Sequence, residues 1–511
     1  MRRRIYCLVV LFVLLLGALA ARLAVIQFLE GPKYRFLAES QSRATLSGIS
    51  TRGTIYDRNN RPLTDVTESF FFLIGERKMN EDAENLLRMM EARFIGSDEK
   101  YRIYSIPVPD REGFKKLCRD YGALAIKSRQ RYSENQPAAH IIGYVNGANE
   151  PGVCGIEKDF DSVLSAGQRT ITVKNDGQGY IIPGTGIRVE GAGREWGVLT
   201  TLDLDIQNMA EKALSDQGQS GAVVITHIPS GEILASASTP GYNPYRIDEY
   251  ISGDGSELLN KATSCMYPSE SLFQVVVAAA ALENKVISAE TSFACNGSLE
   301  IAGLRLKCPL GRHEEIQFCD AMAMPCHTVW ALVSDKTGVR SILETAQVFG
   351  FAEEAVDLLS GQAKGNLPQP EEVLGAGIVS LSSGRGHISI TPMQAARMTR
   401  IIASEGWDSP LSMIRGTLEG VKGATLLPKP QGRQVISSET ARAIGKMMRK
   451  AAEITGDDSL AVAGIGSGKW FTGYLPADDP LYGITVLLEE AGAGEKTAAA
   501  LFYEMARNLY R

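Results

Sequence analysis

Two positions frame the chemistry open to this chain. Ser271 lies near the start of residues 267–283, where a Pro/Ser turn leads into an apolar helix with nothing polar from Val275 to Leu282. Such a run reads as a buried helix, and at eight residues it is too short to cross a bilayer. Ser269, just after Pro268, is placed to cap it. A hydroxyl at the mouth of a buried helix can act as an acyl-transfer nucleophile when a base sits one turn further on. The residue at that place is Gln274. An amide cannot take the seryl proton at any cellular pH. Without an adjacent base, Ser271 reads as a first-turn helix residue rather than a reactive one.

A second group of side chains is Cys308, His313, Cys319, Cys326 and His327. The residue types suit zinc, but the spacing is irregular and no Cys-x-x-Cys pair occurs among the eight cysteines. The expected outcome is therefore a disulfide or free buried thiols, with no metal and no cofactor. Cys295 and Cys308 flank a hairpin and are the first pair expected to be bridged. Cys326 and His327, being neighbours, would point about 100° apart on a helix and would not form a dyad. The run Gly466-Ser467-Gly468-Lys469 is no phosphate loop: Ala463 holds the first glycine's place, and Trp470 that of the Ser/Thr.

These residues need a scaffold, and 511 residues of ordinary composition supply two or three domains. Three arginines at positions 2–4 precede an apolar run from Ile5 to Ala20, which continues past Arg22 through Phe28. It reads as an uncleaved anchor over 5–28 rather than a cleaved signal peptide, with residues 1–4 cytoplasmic and the remainder exported. Residues 1–28 carry four arginines and no acid, so a chain total of −6 leaves −10 outside them. An acidic exported body argues against nucleic-acid binding and against broad contact with anionic lipid.

In chain order, Ser47 to Leu63 reads as a strand, a turn at Asn59–Asn60 and a second strand. A helix follows over 81–94, then mixed signals to about 130. Residues 198–207 lead into a helix ending near Gly218. Residues 221–227 and 232–238 form a hairpin through Pro229-Ser230-Gly231. Residues 283–320 read as loop-rich. Helices are expected at 341–349, 391–405, 438–454 and 495–510, and a strand at 481–490. His140 reads as a satisfied structural histidine.

The run Arg52-Gly53-Thr54-Ile55-Tyr56-Asp57-Arg58-Asn59 resembles the segment that opens the pedestal of class B penicillin-binding proteins. Arg131-Tyr132, residues 138–145 and Gly155-Ile156-Glu157 continue that resemblance in order and spacing, and residues 221–238 resemble the first two strands of the transpeptidase domain. The likeness covers almost the whole chain. It implies an α+β fold: transmembrane helix, β-rich pedestal of dimerisation type over 29–196, then a serine β-lactamase-like transpeptidase domain over 197–511. That last domain has a central antiparallel sheet flanked by helices.

The resemblance also places three motifs, and each is altered. The family's Tyr-Pro-Pro-Gly-Ser-x-x-Lys is Tyr267-Pro268-Ser269-Glu270-Ser271-Leu272-Phe273-Gln274 here, so Ser271 is kept and the lysine is Gln274. Its Ser-Cys-Asn is Pro325-Cys326-His327, and its Lys-Thr-Gly is Ile465-Gly466-Ser467, read as a tight turn over 466–468. A literal Lys336-Thr337-Gly338 ends a helical stretch and is a decoy.

The resemblance therefore implies a protein of peptidoglycan synthesis at the bacterial plasma membrane, read as a pseudo-transpeptidase that scaffolds or regulates. It implies a glycan polymerase of the SEDS type as partner and allows a homodimer. Two other readings stay open. One is an active D,D-transpeptidase using Ser271 with His327 or Lys261 as base. The other is a muropeptide sensor using Arg385 or Lys469 as the cation.

Overall fold

The computed structural model describes residues 2–41, 43–97, 100–106, 109–146, 151–166, 169–174, 182, 187–190, 196–301, 303–324, 326–373, 375, 377–384, 387–455, 460–490 and 497–510. Pro325 and Arg385, singled out above, lie outside the described residues. The chain divides into two units. One comprises Met1–Thr51, Glu68–Arg129 and Gln168–Gly191, and the other Arg52–Thr67, Gln130–Gly167 and Ala192–Arg511.

The first unit opens with a helix over Arg2–Ala24 that runs on as a π-helical turn over Val25–Leu29. None of its most apolar part is buried, and the stretch is long and apolar enough to cross a membrane. Further on, Glu68–Gly75 is an inner strand of a four-stranded antiparallel sheet, paired with Tyr101–Ile106 and Leu124–Arg129. Its period-two pattern sends Phe72 and Ile74 to one face, against Leu87 and Leu117 of the helices Glu81–Met89 and Arg111–Asp120. Phe71 and Leu73 pack on the other face with Ile103 and Ile126. Each helix starts at a side-chain cap: Asn80 accepts from the Ala83 amide and Asp110 from the Gly113 amide. The expected helix over 81–94 is thus shorter, because Glu91 turns into the left-handed region and a strand begins at Arg93.

The second unit is built on a seven-stranded sheet. Its five long strands are antiparallel in the order Glu232–Thr239, Gly221–His227, Tyr482–Leu488, Trp470–Leu475, Ala463–Ser467. Short parallel strands at Leu411–Ser412 and Val356–Asp357 extend it. One face packs on the helices Leu204–Asp216 and Ala498–Leu509. On the other lie Phe273–Glu283, Pro392–Ala403 and Ser438–Thr455. The helix Pro392–Ala403 begins in a capping box, Thr391 with Gln394, with Pro392 at its first position.

Residues 283–320 are not loop-rich. They hold a long two-stranded hairpin, Ser292–Ile301 against Leu304–Gln317. Many of its side chains are exposed, so the apolar alternation that marks a half-buried strand is missing. At the start of this unit, Thr54–Tyr56 is a strand, but the second strand expected after Asn60 is only an isolated bridge from Pro62 to Tyr56.

The scattered residues Arg52, Arg131, Tyr132 and Glu157 meet in one buried ion network. Arg131 Nε donates to Glu157 at 2.7 Å and its terminal nitrogen to Asp65 at 2.7 Å. Arg52 Nε and the Tyr132 hydroxyl donate to the same Glu157 at 3.1 and 2.8 Å. His140 is a hydrogen-bonded structural residue, its Nε2 lying 2.8 Å from the Glu257 carbonyl and its ring edge-on to Tyr242.

Candidate active site

Ser271 sits, half-buried, in a 3₁₀ turn over Glu270–Leu272 that leads into the buried helix Phe273–Glu283. Gln274 is the second residue of that helix and is also half-buried. Ser269 does not cap it. The 3₁₀ turn intervenes, and the Ser269 hydroxyl instead donates to the Gly384 carbonyl at 3.2 Å. The Glu270 amide donates to the same carbonyl at 3.2 Å. Gly384, at φ 63°, has no room for a side chain, since a Cβ there would run into the Glu270 carbonyl. Glu270 itself lies at φ 47°, a conformation natural to glycine, and it occupies the place of the family's glycine. The short strand Tyr267–Pro268 pairs with Ser389–Ile390, which draws the Ser383-Gly384 stretch over the serine turn.

The edge strand Ala463–Ser467 packs beside the Glu270–Leu272 turn. Ile465 pairs across the ladder with Thr472, whose hydroxyl contacts that of Thr399 at 2.6 Å, so both face the helical layer. Ile465 is buried, in the same apolar cluster as Leu272, Phe273 and Cys326. The hairpin turn is Gly468-Lys469, between paired Ser467 and Trp470, one step later than expected. Gly468 takes φ 62°, which suits it rather than Ser467 to the turn. Gly466 pairs with Phe471, and a Cβ there would meet the Trp470 carbonyl.

Lys261 is buried, and its ammonium hydrogen-bonds the Ser256 carbonyl at 3.2 Å. The Tyr267 hydroxyl donates to Glu489 at 2.8 Å, and burial, followed by that bond, pushes its pKa up.

At the second motif, Cys326 is the residue preceding the helix His327–Thr337, and His327 is its exposed first residue. Lys336 and Thr337 lie in that helix, consistent with a decoy. Cys326 is fully buried, 3.8 Å from Cys308 Sγ and 3.2 Å from His313 Nε2. Cys295 and Cys308 are not bridged. The ladder sets Cys295 opposite His313, and all eight cysteines are free thiols. Cys319 stands apart, with Lys450 Nζ 3.4 Å from its sulfur.

The expectation grouped Cys319 and His327 with the thiols and left Cys295 aside. Spacing could not reveal that Cys295, Cys308, His313 and Cys326 meet, because a register jump in the hairpin helps bring them together. Nor could it reveal Trp470, which is 2% exposed and donates its indole N–H to the Pro268 carbonyl at 2.8 Å.

Residues 221–507 match the penicillin binding protein transpeptidase domain. The chain belongs to that family. Among its curated relatives is the peptidoglycan D,D-transpeptidase MrdA of Acinetobacter baumannii, 24% identical over 97% of this chain and 86% of that one. Stage V sporulation protein D of Bacillus subtilis is 25% identical over 92% and 80%. Among solved structures, penicillin-binding protein 3 of Mycobacterium tuberculosis complexed with ampicillin has a TM-score of 0.67 at 21% identity, covering 91% of this chain and 95% of that one. A chain in a peptidoglycan synthase complex reaches 0.72 at 21% identity, covering 98% and 97%. The α+β penicillin-binding-protein fold with an N-terminal apolar helix is therefore the fold of this chain, and its relatives are transpeptidases of cell-wall synthesis.

Proposed function

We propose that this chain is a pseudo-transpeptidase of peptidoglycan synthesis, anchored by its N-terminal helix with the main body outside the cytoplasm, and that it scaffolds or regulates rather than cross-links. The observation that carries this reading is the burial of Ile465. The position that holds the family's carboxylate-binding lysine is filled by an alkyl group in the apolar cluster around Leu272 and Phe273. Gln274 and Ile465 thus stand where the family has its two lysines, the base for the serine and the cation for the substrate carboxylate. Loss of a general base alone lowers a rate by roughly 10²–10⁴.

Two facts weigh against a rewired enzyme. The Lys261 ammonium is engaged by Ser256, and His327 is an exposed first-turn residue. A scaffold acts through its anchor and its surfaces. Solved relatives include a penicillin-binding protein in complex with MreC from Helicobacter pylori and the synthase complex above. By that analogy the partner here is a membrane glycan polymerase. The domain division we propose is an anchor over 5–28, a pedestal over 29–196 and a transpeptidase-like domain over 197–511.

The test is incubation of the purified full-length protein with polymerised, uncross-linked glycan strands. The expected result is no cross-linked product and no release of terminal D-alanine. Release of D-alanine that is lost in Ser271→Ala would overturn the proposal in favour of an active transpeptidase.

A further inference from the structure

We propose that Cys319 and Lys450 are joined by peroxide into a covalent cross-link, sulfur to nitrogen through one oxygen, which fastens the segment leading into the second motif to the helix that precedes the third. Lys450 Nζ stands 3.4 Å from Cys319 Sγ. The same ammonium donates to Asp320 Oδ1 at 2.5 Å, which holds it beside the sulfur. Cys319 Sγ also lies 3.8 Å from the second Asp320 oxygen and 3.7 Å from Gln317 Oε1. An oxidisable thiol, an amine and a proton acceptor for that amine therefore meet at one place.

Both partners stand on held backbone. Cys319 sits in the 3₁₀ turn Phe318–Asp320 at the foot of the 292–317 hairpin. Its amide donates to the Ala289 carbonyl at 2.8 Å, and the Phe318 amide to the Thr291 carbonyl at 2.9 Å. The Phe318 ring is fully buried, edge-on to Trp330 with centroids 5.5 Å apart. Lys450 belongs to the helix Ser438–Thr455, which buries Met447, Met448 and Ala451 in the core on its other side. Packing thus fixes the two Cα positions, and a small movement of the lysine side chain admits one oxygen. The pair is also within reach of a small oxidant. Cys319 is half-buried, and the Lys450 and Asp320 side chains are 45% and 40% exposed. Cys295, Cys308 and Cys326 are buried by comparison.

Two molecules of hydrogen peroxide balance the step. The first oxidises the Cys319 thiol to a sulfenic acid and leaves as water. Lys450 passes its ammonium proton to Asp320. The free amine, the sulfenic acid and a second peroxide then give the sulfur–oxygen–nitrogen bridge and two waters. Sulfur and nitrogen each lose two electrons, and each peroxide accepts two. The bond to Asp320 is the main cause that raises the Lys450 pKa, so the amine becomes available, and the bridge forms faster, as the pH rises. The bridge closes the chain from Cys319 to Lys450 into a loop, as a disulfide would. Residue 321 opens the stretch into the second motif, and the helix of Lys450 ends at Thr455, shortly before the third-motif strand begins at Ala463. The inference stands whether or not Ser271 is acylated.

The test is treatment of the full-length protein, folded in detergent, with hydrogen peroxide at neutral and alkaline pH, followed by digestion and peptide mass mapping. The expected result is a linked pair of peptides joining Cys319 to Lys450. Its mass exceeds the sum of its parts by about 14 Da, one oxygen gained and two hydrogens lost. The pair forms faster at alkaline pH, is released by dithiothreitol, and is lost in Lys450→Arg, which keeps a cation beside Asp320. The wild type alone decides the matter, so the proposal does not hang on the folding of a variant. Cys319 recovered from treated wild type as a free thiol, as a sulfinic or sulfonic acid, or in a disulfide, with no peptide pair to Lys450, would overturn it.

Discussion

The Trp470 indole N–H donates to the Pro268 carbonyl at 2.8 Å, and the same ring meets Tyr267 edge-on with centroids 6.2 Å apart. This bond ties the third-motif hairpin to the turn that carries Ser271, two elements some two hundred residues apart in sequence. The two elements are thus held together although Gln274 and Ile465 stand where the resemblance places lysines. Trp470→Phe keeps most of the packing and removes the donor. It should lower unfolding stability by about 1–2 kcal/mol in chemical denaturation, with an unchanged slope against denaturant.

Glu270 carries a side chain in a conformation that favours glycine. Left-handed backbone costs a non-glycine residue roughly 1–2 kcal/mol, partly offset by the extra unfolded-state entropy of glycine. Glu270→Gly should therefore raise stability by about 0.5–1 kcal/mol, seen as an upward shift in melting temperature. A fall would mean that the Glu270 carboxylate makes a compensating contact.

Restoring the family's lysine at position 465 should not restore function. Ile465 is 4% exposed, and Ile465→Lys would place an ammonium in an apolar cluster. An unpaired buried charge is costly, so stability should fall by about 3 kcal/mol or more, with no gain in penicillin binding. Thermal unfolding and penicillin labelling of the one variant check both halves.

His140 gives the fold a pH dependence whose sign can be worked out. Burial is the main cause that lowers its pKa from 6.5 to about 4, with the Lys261 charge adding to it, while the bond to the Glu257 carbonyl opposes the shift. The unfolded chain then binds a proton between pH 6.5 and 4 that the folded chain refuses. Stability should be complete above pH 6.5 and fall as the pH drops toward 4, by at most about 3 kcal/mol from this group. Urea titrations at several pH values should show this slope, and His140→Gln should flatten it.

The strands at 221–239 and the helix after Phe273 were legible because each rests on a local pattern, β-rich runs around a Pro-Ser-Gly turn and an unbroken apolar stretch. That Gln274 and Ile465 are not lysines is plain from residue type, which decides whether a side chain can accept a proton or bind a carboxylate. What escaped depends on backbone geometry that no spacing carries. The register jump at Gly297 gathers Cys295 with His313 and Cys308, and no count of intervening residues reports it. The 292–317 hairpin was read as loop because its exposed, polar surface hides the alternation of a strand. Ser269 looked like a cap because serine after proline so often is one. The 3₁₀ turn then moved the start of the helix beyond its reach.

Acylation of Ser271 tests the central claim most directly. Purified full-length protein, Ser271→Ala and Gln274→Lys would be incubated with a fluorescent penicillin and measured by gel fluorescence and intact mass. The account predicts no adduct on the wild type, and none on Gln274→Lys, because Ile465 and the altered second motif remain. A stable adduct on the wild type that disappears in Ser271→Ala would contradict it and make this chain a working penicillin-binding enzyme.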